Sequence, residues 1–328
     1  MDIFLKNSSS GLLMNNIPQS ELEEMVQSIR AHPEYLDPEY VLNTYRAQGI
    51  EVIPDPFSAS IITPIKYALH AGKALSVIRI GDGEINLISY NAYSSTPNLD
   101  HHVVKRIIAM QQDRFEVDTF WMIILRDLMM GALLQADIIG VIGLWRPNPL
   151  STEELAQLFL KNYRGVSGQW RAVDFMLKLA SRSILDHKLL ASAHLYFSLL
   201  EYLDDILPLA RMIFIISDRK TVAERFKKKY PNLNFEQIIV GMKLTEPRPT
   251  TLDKPDFLSL VDSALPMDLR GCLCLVGAGP WAEIYCTWIK QRGGVGVDIG
   301  SGFDLLDGQL TRPVHEAVGP DKLLKYVL

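Results

Sequence analysis

The stretch from Cys272 to Ile299 constrains the fold of this chain more than any other. Cys272-Leu273-Cys274-Leu275-Val276 is an unbroken apolar run of strand length. Gly277-Ala278-Gly279-Pro280-Trp281-Ala282 follows it directly, and residues 283–291 have helical character. Arg292-Gly293-Gly294 stops that helix, and Val295-Gly296-Val297-Asp298-Ile299 is a second apolar run. A strand, a glycine turn, a helix and a strand in this order, with the spacing G-x-G-x-x-A, form the kind of unit that binds a phosphate. Gly277 and Gly279 permit a tight turn and close approach, and the helix N-terminus offers unpaired N–H groups. Asp298, at the end of the second strand, stands where a ribose hydroxyl is bound in such units. The alternative is a glycine turn needed only for packing helix on strand.

The same alternation extends through most of the chain. Strands are expected at 74–78, 136–143, 188–193, 211–217, 237–241, 273–276 and 295–299. Helices are expected at 102–115, 118–134, 152–161, 169–182, 195–206, 220–229, 256–263 and 281–291. Strands alternating with helices predict an α/β fold: a Rossmann-like, mainly parallel sheet with helices on both faces. A helical N-terminal extension precedes it over 1–58, and the Rossmann-like domain covers 59–328. In the extension, Ser20 reads as the cap of a helix with an acidic residue in its first turn. A second helix is expected from Pro38 to Ala47, Asp55-Pro56-Phe57 marks a linker, and Thr63 to Ala71 reads as a helix before the first core strand.

Chemistry concentrates in Arg79-Ile80-Gly81-Asp82-Gly83-Glu84. The apolar run 74–78 leads into it and an apolar-periodic segment follows, so it reads as a tight, charged turn between strand and helix. Asp82 and Glu84, separated by one glycine at a strand end, are placed to converge on one divalent cation. Gly81 and Gly83 let the backbone turn and a ligand come close. Arg79 adds a fixed positive charge suited to phosphate. A metal and an arginine beside a short acidic pair suggest a nucleotide-diphosphate substrate. The plainer reading is a polar turn whose Asp caps the next helix.

Taken together, the two segments resemble the GT-D-type glycosyltransferases. The early R-x-G-D-G-E pattern is joined by a late block: Val276, Ile284-Tyr285, Trp288-Ile289-Lys290, Arg292-Gly293-Gly294, Asp298-Ile299-Gly300-Ser301, Phe303-Asp304, Gly308 and Thr311-Arg312. The resemblance covers roughly residues 60 to 315, with the middle only loosely similar. It implies a Rossmann-like sheet, a nucleotide-sugar donor of the UDP-sugar class, and a divalent metal, Mn²⁺ or Mg²⁺, held through Asp82 and Glu84. It supplies no match for a catalytic base.

In parallel sheets, ligands gather outside the carboxyl ends of the strands, which selects further candidates. Arg146, in Trp145-Arg146-Pro147, reads either as a phosphate partner or as a loop cap. His194 follows the 188–193 strand and is a candidate base for a sugar hydroxyl, because an unperturbed imidazole titrates near neutrality; the alternative is a satisfied core histidine. Asp218 ends the 211–217 strand as a helix cap, a base or a donor contact. The loop from Tyr90 to His102 offers aromatic faces to a sugar at Tyr90 and Tyr93, or is an ordinary surface loop. His101-His102 reads as solvated or capping rather than metal-binding, because adjacent side chains rarely converge.

Composition narrows the partners. The formal net charge is −5 with no long basic run, which argues against nucleic acid as a partner and leaves an anionic donor to local arginines or a metal. No stretch approaches the roughly 18 apolar residues of a membrane span, and the N-terminus lacks a secretory h-region, so a cytoplasmic protein is expected. Cys272, Cys274 and Cys286 read as small buried hydrophobes rather than a bridge or a zinc site. The expected activity is metal-dependent transfer of a sugar from a nucleotide-sugar donor to a hydroxyl of a glycan or glycoconjugate. The alternatives are an NAD(P)-dependent oxidoreductase using the late glycine turn and a non-catalytic nucleotide-sugar-binding module. Against the oxidoreductase, only about fifty residues follow Gly279, too few to complete a dinucleotide domain at roughly 30 residues per strand–helix–strand unit.

Overall fold

The apolar runs become the strands of one parallel sheet. The computed structural model describes residues 19–91, 119–146, 151, 154, 157–159, 163–240 and 256–328. The strands are β1 (Glu51–Ile53), β2 (Leu75–Ile80), β3 (Ile138–Val141), β4 (Leu189–Ser192), β5 (Met212–Ser217), β6 (Phe235–Ile239), β7 (Cys272–Gly277) and β8 (Val295–Asp298). All are parallel, in the order β1-β4-β3-β2-β8-β7-β5-β6. The Rossmann-like α/β class is therefore observed, and the sheet is parallel throughout rather than mainly so. β5 and β7 are buried along nearly their whole length, as strands covered on both faces are, whereas β6 at the end of the order alternates buried and exposed positions. β1 was not expected. It is three residues long, begins on an exposed Glu51 and is followed by Pro54, so it carries little strand signal; it pairs with β4 in the register Val52–Leu190.

The chain divides into two compact units. The first comprises the described residues within Met1–Pro54, Ile80–Met130 and Val141–Ala193. Here the Gln19–Ala31 helix buries Leu22, Met25, Val26 and Ile29 against Phe159, Tyr163, Val166 and Trp170. The i, i+3, i+4, i+7 spacing of those four places them on one helical face. Ser20 lies inside that helix rather than capping it. The Pro38–Ala47 helix forms as expected: Asp37 accepts from the Glu39 N–H, and Pro38 fills a position whose N–H has no partner anyway.

The long helix of this unit, Tyr163–Ala180, begins six residues before the expected start. Gly165 and Gly168 weaken its N-terminal half in propensity, yet the helix runs through both. The described parts of 152–161 include helical residues, while the expected helix at 102–115 lies outside the described residues.

The second unit comprises Asp55–Arg79, Gly131–Gly140 and His194–Leu328, with 241–255 outside the described residues. β2 pairs β8 (Val77–Val297), β7 pairs β8 (Leu275–Val297) and β5 lies between β7 and β6. Its Ile62–Ala71 helix ends on Gly72 at φ +62°, the left-handed stop that glycine takes without a Cβ clash. The expected 195–206 helix is broken into Tyr196–Glu201 and Leu203–Ile206. Three short helices after β8 were not expected: Gly302–Leu306, Pro313–Val318 and Pro320–Leu323. Cys272, Cys274 and Cys286 are free and buried, as the sequence suggests.

Candidate functional site

β2 runs straight into Gly81-Asp82-Gly83, and the Glu84–Ile88 helix opens at once. Asp82 is exposed and Glu84 half-buried. Glu84 reaches back: its Oε2 accepts from the Gly81 N–H at 3.2 Å, which fixes the carboxylate over the turn. A Cβ at Gly81 would stand 2.6 Å from that oxygen, while one at Gly83 would meet no atom of the described residues within 4 Å.

The turn is held from behind by side chains that sequence reading overlooked. Asn86 Nδ2 donates to the Asp82 carbonyl at 2.5 Å. The buried Arg171 donates through Nη1 to Asn86 Oδ1 and through Nη2 to Ser89 Oγ at 2.9 Å. Gly168, on the same helix as Arg171, lies so close that a Cβ there would come within 2.7 Å of Asp82 Cα. A glycine inside a helix costs about 1 kcal/mol against alanine. Its presence at 168 was the one sequence signal of a close approach.

In the second unit, Arg79 and Asp298 meet across the neighbouring strands β2 and β8. Arg79 Nε donates to Asp298 Oδ2 at 2.9 Å and Nη2 to Oδ1 at 3.2 Å. Burial pushes the Asp298 carboxyl up and Arg79 opposes that. Both Asp298 oxygens are engaged by the guanidinium, which differs from a ribose contact, and Arg79 is a paired rather than a free cation. The Tyr196 ring lies 5.5 Å from the guanidinium carbon. Gly300, at φ +41°, is required here, because a Cβ would fall 2.7 Å from Arg79 Cζ.

His194 stands in the same cluster, its ring 6.1 Å from Tyr196, whose hydroxyl pairs with His315 Nε2 at 3.1 Å. Burial, then Arg79, then His315 push the His194 imidazolium down to about 3. This environment disfavours the cation and so weakens His194 as a proton acceptor, in line with the satisfied histidine that the sequence left as the alternative.

The turn after β7 differs from expectation at Gly277. The place of its Cβ is filled from within the unit: Phe303 Cε2 would lie 2.8 Å away and the Gly300 carbonyl 3.3 Å. Gly277 serves packing against Phe303. Gly279, at φ +55°, supplies the left-handed step, and its carbonyl accepts from the Ala282 N–H at 3.0 Å as the Ala282–Gln291 helix begins. Asp304 and Thr311 of the late block are tied to Arg219, which follows β5. Arg219 Nη2 reaches Asp304 Oδ1 at 2.5 Å, and Thr311 Oγ1 donates to Asp304 Oδ2. Asp218 does not cap the Lys220–Lys229 helix, whose N-cap is Arg219 without a side-chain bond. Ser217 Oγ accepts from the Arg219 N–H instead, and the Asp218 side chain stays 30% exposed, 3.7 Å from Arg219 Nε.

Arg146, after β3, donates through Nη2 to Gln169 Oε1 at 3.0 Å, and burial lowers its pKa. Tyr90 is buried, with its carbonyl accepting from Arg126 Nη1 at 3.1 Å, so its ring is not offered to a sugar. Tyr93, His101, His102 and Pro147 lie outside the described residues.

The donor set at Asp82 and Glu84 fits a hard divalent cation, which takes carboxylate oxygens. Among the described residues, no three His, Cys, Asp or Glu side chains form a metal-holding group. Also among the described residues, no helix is long and apolar enough to cross a membrane.

Comparison with known proteins follows the same lines. No curated protein matches the chain. A solved selenomethionine-substituted structure of domain of unknown function 1792 is similar at 14% identity and a TM-score of 0.41, over 81% of this chain and 85% of that one. The sequence model of the GT-D fold-like domain matches residues 58–306. That span takes in β2 and its acidic turn, the Arg79–Asp298 pair and the turn after β7. GT-D-like membership implies glycosyltransferase activity in general, and by the reach of this match the chain belongs to the GT-D-like family.

Proposed function

We propose that this chain is a divalent-metal-dependent glycosyltransferase that takes a nucleotide sugar, of the UDP-sugar class, and passes the sugar to a hydroxyl of a glycan or glycoconjugate. The observation that carries the reading is the turn after β2: an exposed Asp82 and a half-buried Glu84 one glycine apart at a strand end, on a backbone locked by Asn86, Arg171 and Gly168. Rigid backing of an acidic pair is what a preorganised ion site requires.

Asp82 and Glu84 would hold Mn²⁺ or Mg²⁺, which supplies neutralisation of the charge that builds on the departing nucleoside diphosphate. Glu84 is held in place by the Gly81 N–H. Gly83 leaves room for the diphosphate to approach. Arg79, locked on Asp298, acts by keeping the ends of β2 and β8 in register. In the transfer, the acceptor oxygen bonds to the anomeric carbon, the bond from that carbon to the diphosphate oxygen breaks, and the electron pair leaves with the diphosphate. The acceptor hydroxyl gives up its proton. Of the two residues the sequence offers to take it, Asp218 has a partly exposed carboxylate beyond β5, and His194 has an environment that disfavours the cation.

The test is a thermal-shift panel of nucleotides, each with and without Mn²⁺. UDP with Mn²⁺ at 100 times its dissociation constant should add about 2.7 kcal/mol. NAD(P)H should add nothing. Stabilisation by NAD(P)H, with none from any nucleoside diphosphate, would move the chain to the oxidoreductase reading.

A further inference from the structure

The first unit holds a second concave site that the transfer chemistry does not use. It is a pocket of about 480 Å³ formed where the Gln19–Ala31 helix and the short Pro33–Leu36 turn of helix meet the Tyr163–Ala180 helix. That volume lies in the range of small-molecule sites. The long helix lines it with Trp170, whose side chain is buried, and with Asp174 and Lys178, at i, i+4 and i+8 along one face. Ser28, His32 and Tyr35 also line it.

The aromatic part is prebuilt. His32 and Tyr35 stack at 4.9 Å with their planes 9° apart, and Tyr35 lies 5.5 Å from Trp170. Trp170 Nε1 donates to the His32 carbonyl at 2.9 Å, so the indole also fixes the backbone that carries the imidazole. The polar part is a pair: Lys178 Nζ meets Asp174 Oδ2 at 2.7 Å. The Asp174 side chain is 11% exposed and that of Lys178 37% exposed.

This lining selects a ligand class. A carboxylate and an ammonium side by side cancel in charge, so a charged ligand gains little from one without opposing the other. A neutral molecule rich in hydroxyls suits both: it donates to Asp174 and accepts from Lys178 with the same kind of group. Its C–H faces lie against the half-buried Tyr35 ring and the exposed His32 ring, whose stack is backed by the buried Trp170. We infer that this pocket is an accessory binding subsite for a neutral saccharide. Gly168, which abuts Asp82, is two residues from Trp170 and so faces away from the pocket around the helix. The subsite therefore grips part of a glycan away from the reacting hydroxyl. That this glycan is the acceptor rests on the glycosyltransferase reading; that the pocket binds a saccharide does not.

Saturation-transfer NMR on the full chain, with cellobiose, maltose and lactose as probes and glucuronate and glucosamine as charged controls, tests this. At least one neutral disaccharide should show saturation transfer, and the charged sugars should bind no better than it does. Asp174→Asn, nearly isosteric, and Tyr35→Ala should each weaken binding about tenfold, the effect of 1.4 kcal/mol. UDP–Mn²⁺ stabilisation, measured on the same variants, should stay at the wild-type value. Transfer from none of the neutral probes, or binding unchanged in both variants, overturns the subsite. Saccharide binding that responds to the variants, in a chain that UDP does not stabilise, keeps the subsite and removes the donor reading instead.

Discussion

The turn after β2 and the turn after β7 both set glycines at the carboxyl end of a buried parallel strand, but they differ in what fills the space those glycines leave. Among the described residues, a Cβ at Gly83 would meet nothing within 4 Å; at Gly277 it would run into the Phe303 ring. The first turn is braced from behind, with room at its glycine. The second is closed by its own unit, and its glycine serves close packing. A glycine-rich turn at a strand end is thus compatible with two physical needs, approach of a ligand or approach of the protein itself. Only the neighbour across the gap tells them apart.

The largest expected effect sharpens the open side of this comparison. Asp82→Asn and Glu84→Gln should each lower metal-dependent transfer by at least about 100-fold, above the usual cost of losing an outer-sphere partner. Melting temperature should change little for Asp82→Asn, because that side chain is exposed. Rates at the wild-type level for both variants in limiting Mn²⁺ would break the metal assignment.

The next effect falls on stability. Asp298→Asn leaves Arg79 facing an uncharged partner in a largely buried setting, with side-chain exposures of 18% and 3%. Breaking such a pair costs about 3–5 kcal/mol, read by urea denaturation. The double variant Arg79→Met/Asp298→Leu should recover much of the loss, because replacing both charges removes the uncompensated one. A stable Asp298→Asn that no longer binds UDP would instead place the pair among the ligand contacts.

Gly277→Ala tests the closed turn. Overpacking against Phe303 should cost about 1–3 kcal/mol while UDP affinity in the folded variant stays unchanged. Adding Phe303→Leu should return part of the stability. Lost UDP affinity with unchanged stability would make the two turns alike.

The smallest expected effect is on pH dependence, and it comes from the cluster behind Arg79. His194 is depressed to about 3 and His315 to about 4, both led by burial. Between those values and the unfolded value near 6.5, the unfolded chain binds more protons than the folded one, so stability falls as pH drops through this window and is full above it. His194 is half-buried, so solvent screening reduces its share. His194→Gln should flatten the fall in melting temperature between pH 6.5 and 4; an unchanged slope would show that this histidine is not held neutral.

The order of strands and helices was legible because local pattern specifies it. Continuous apolar runs mark β5 and β7, and Asp37-Pro38 marks the start of a helix. The acidic turn was legible for the same reason, since Asp82 and Glu84 are neighbours in the chain. What the sequence left open were matters of distance. Asp298 and Arg79 lie 219 residues apart, and nothing local says that they take up each other's hydrogen bonds. Phe303 fills the space at Gly277, and Gly168 and Arg171 brace Asp82 from a helix nearly ninety residues further along the chain. His194 looked like a base of ordinary strength because its sequence neighbours carry no charge, while its proton affinity is set by burial and by Arg79. Sequence determined the periodicities, and with them the fold class and the acidic turn. Tertiary structure decided which side chains are occupied with one another and which remain open to a ligand, because burial, ion pairing and close contact depend on separation in space and not along the chain.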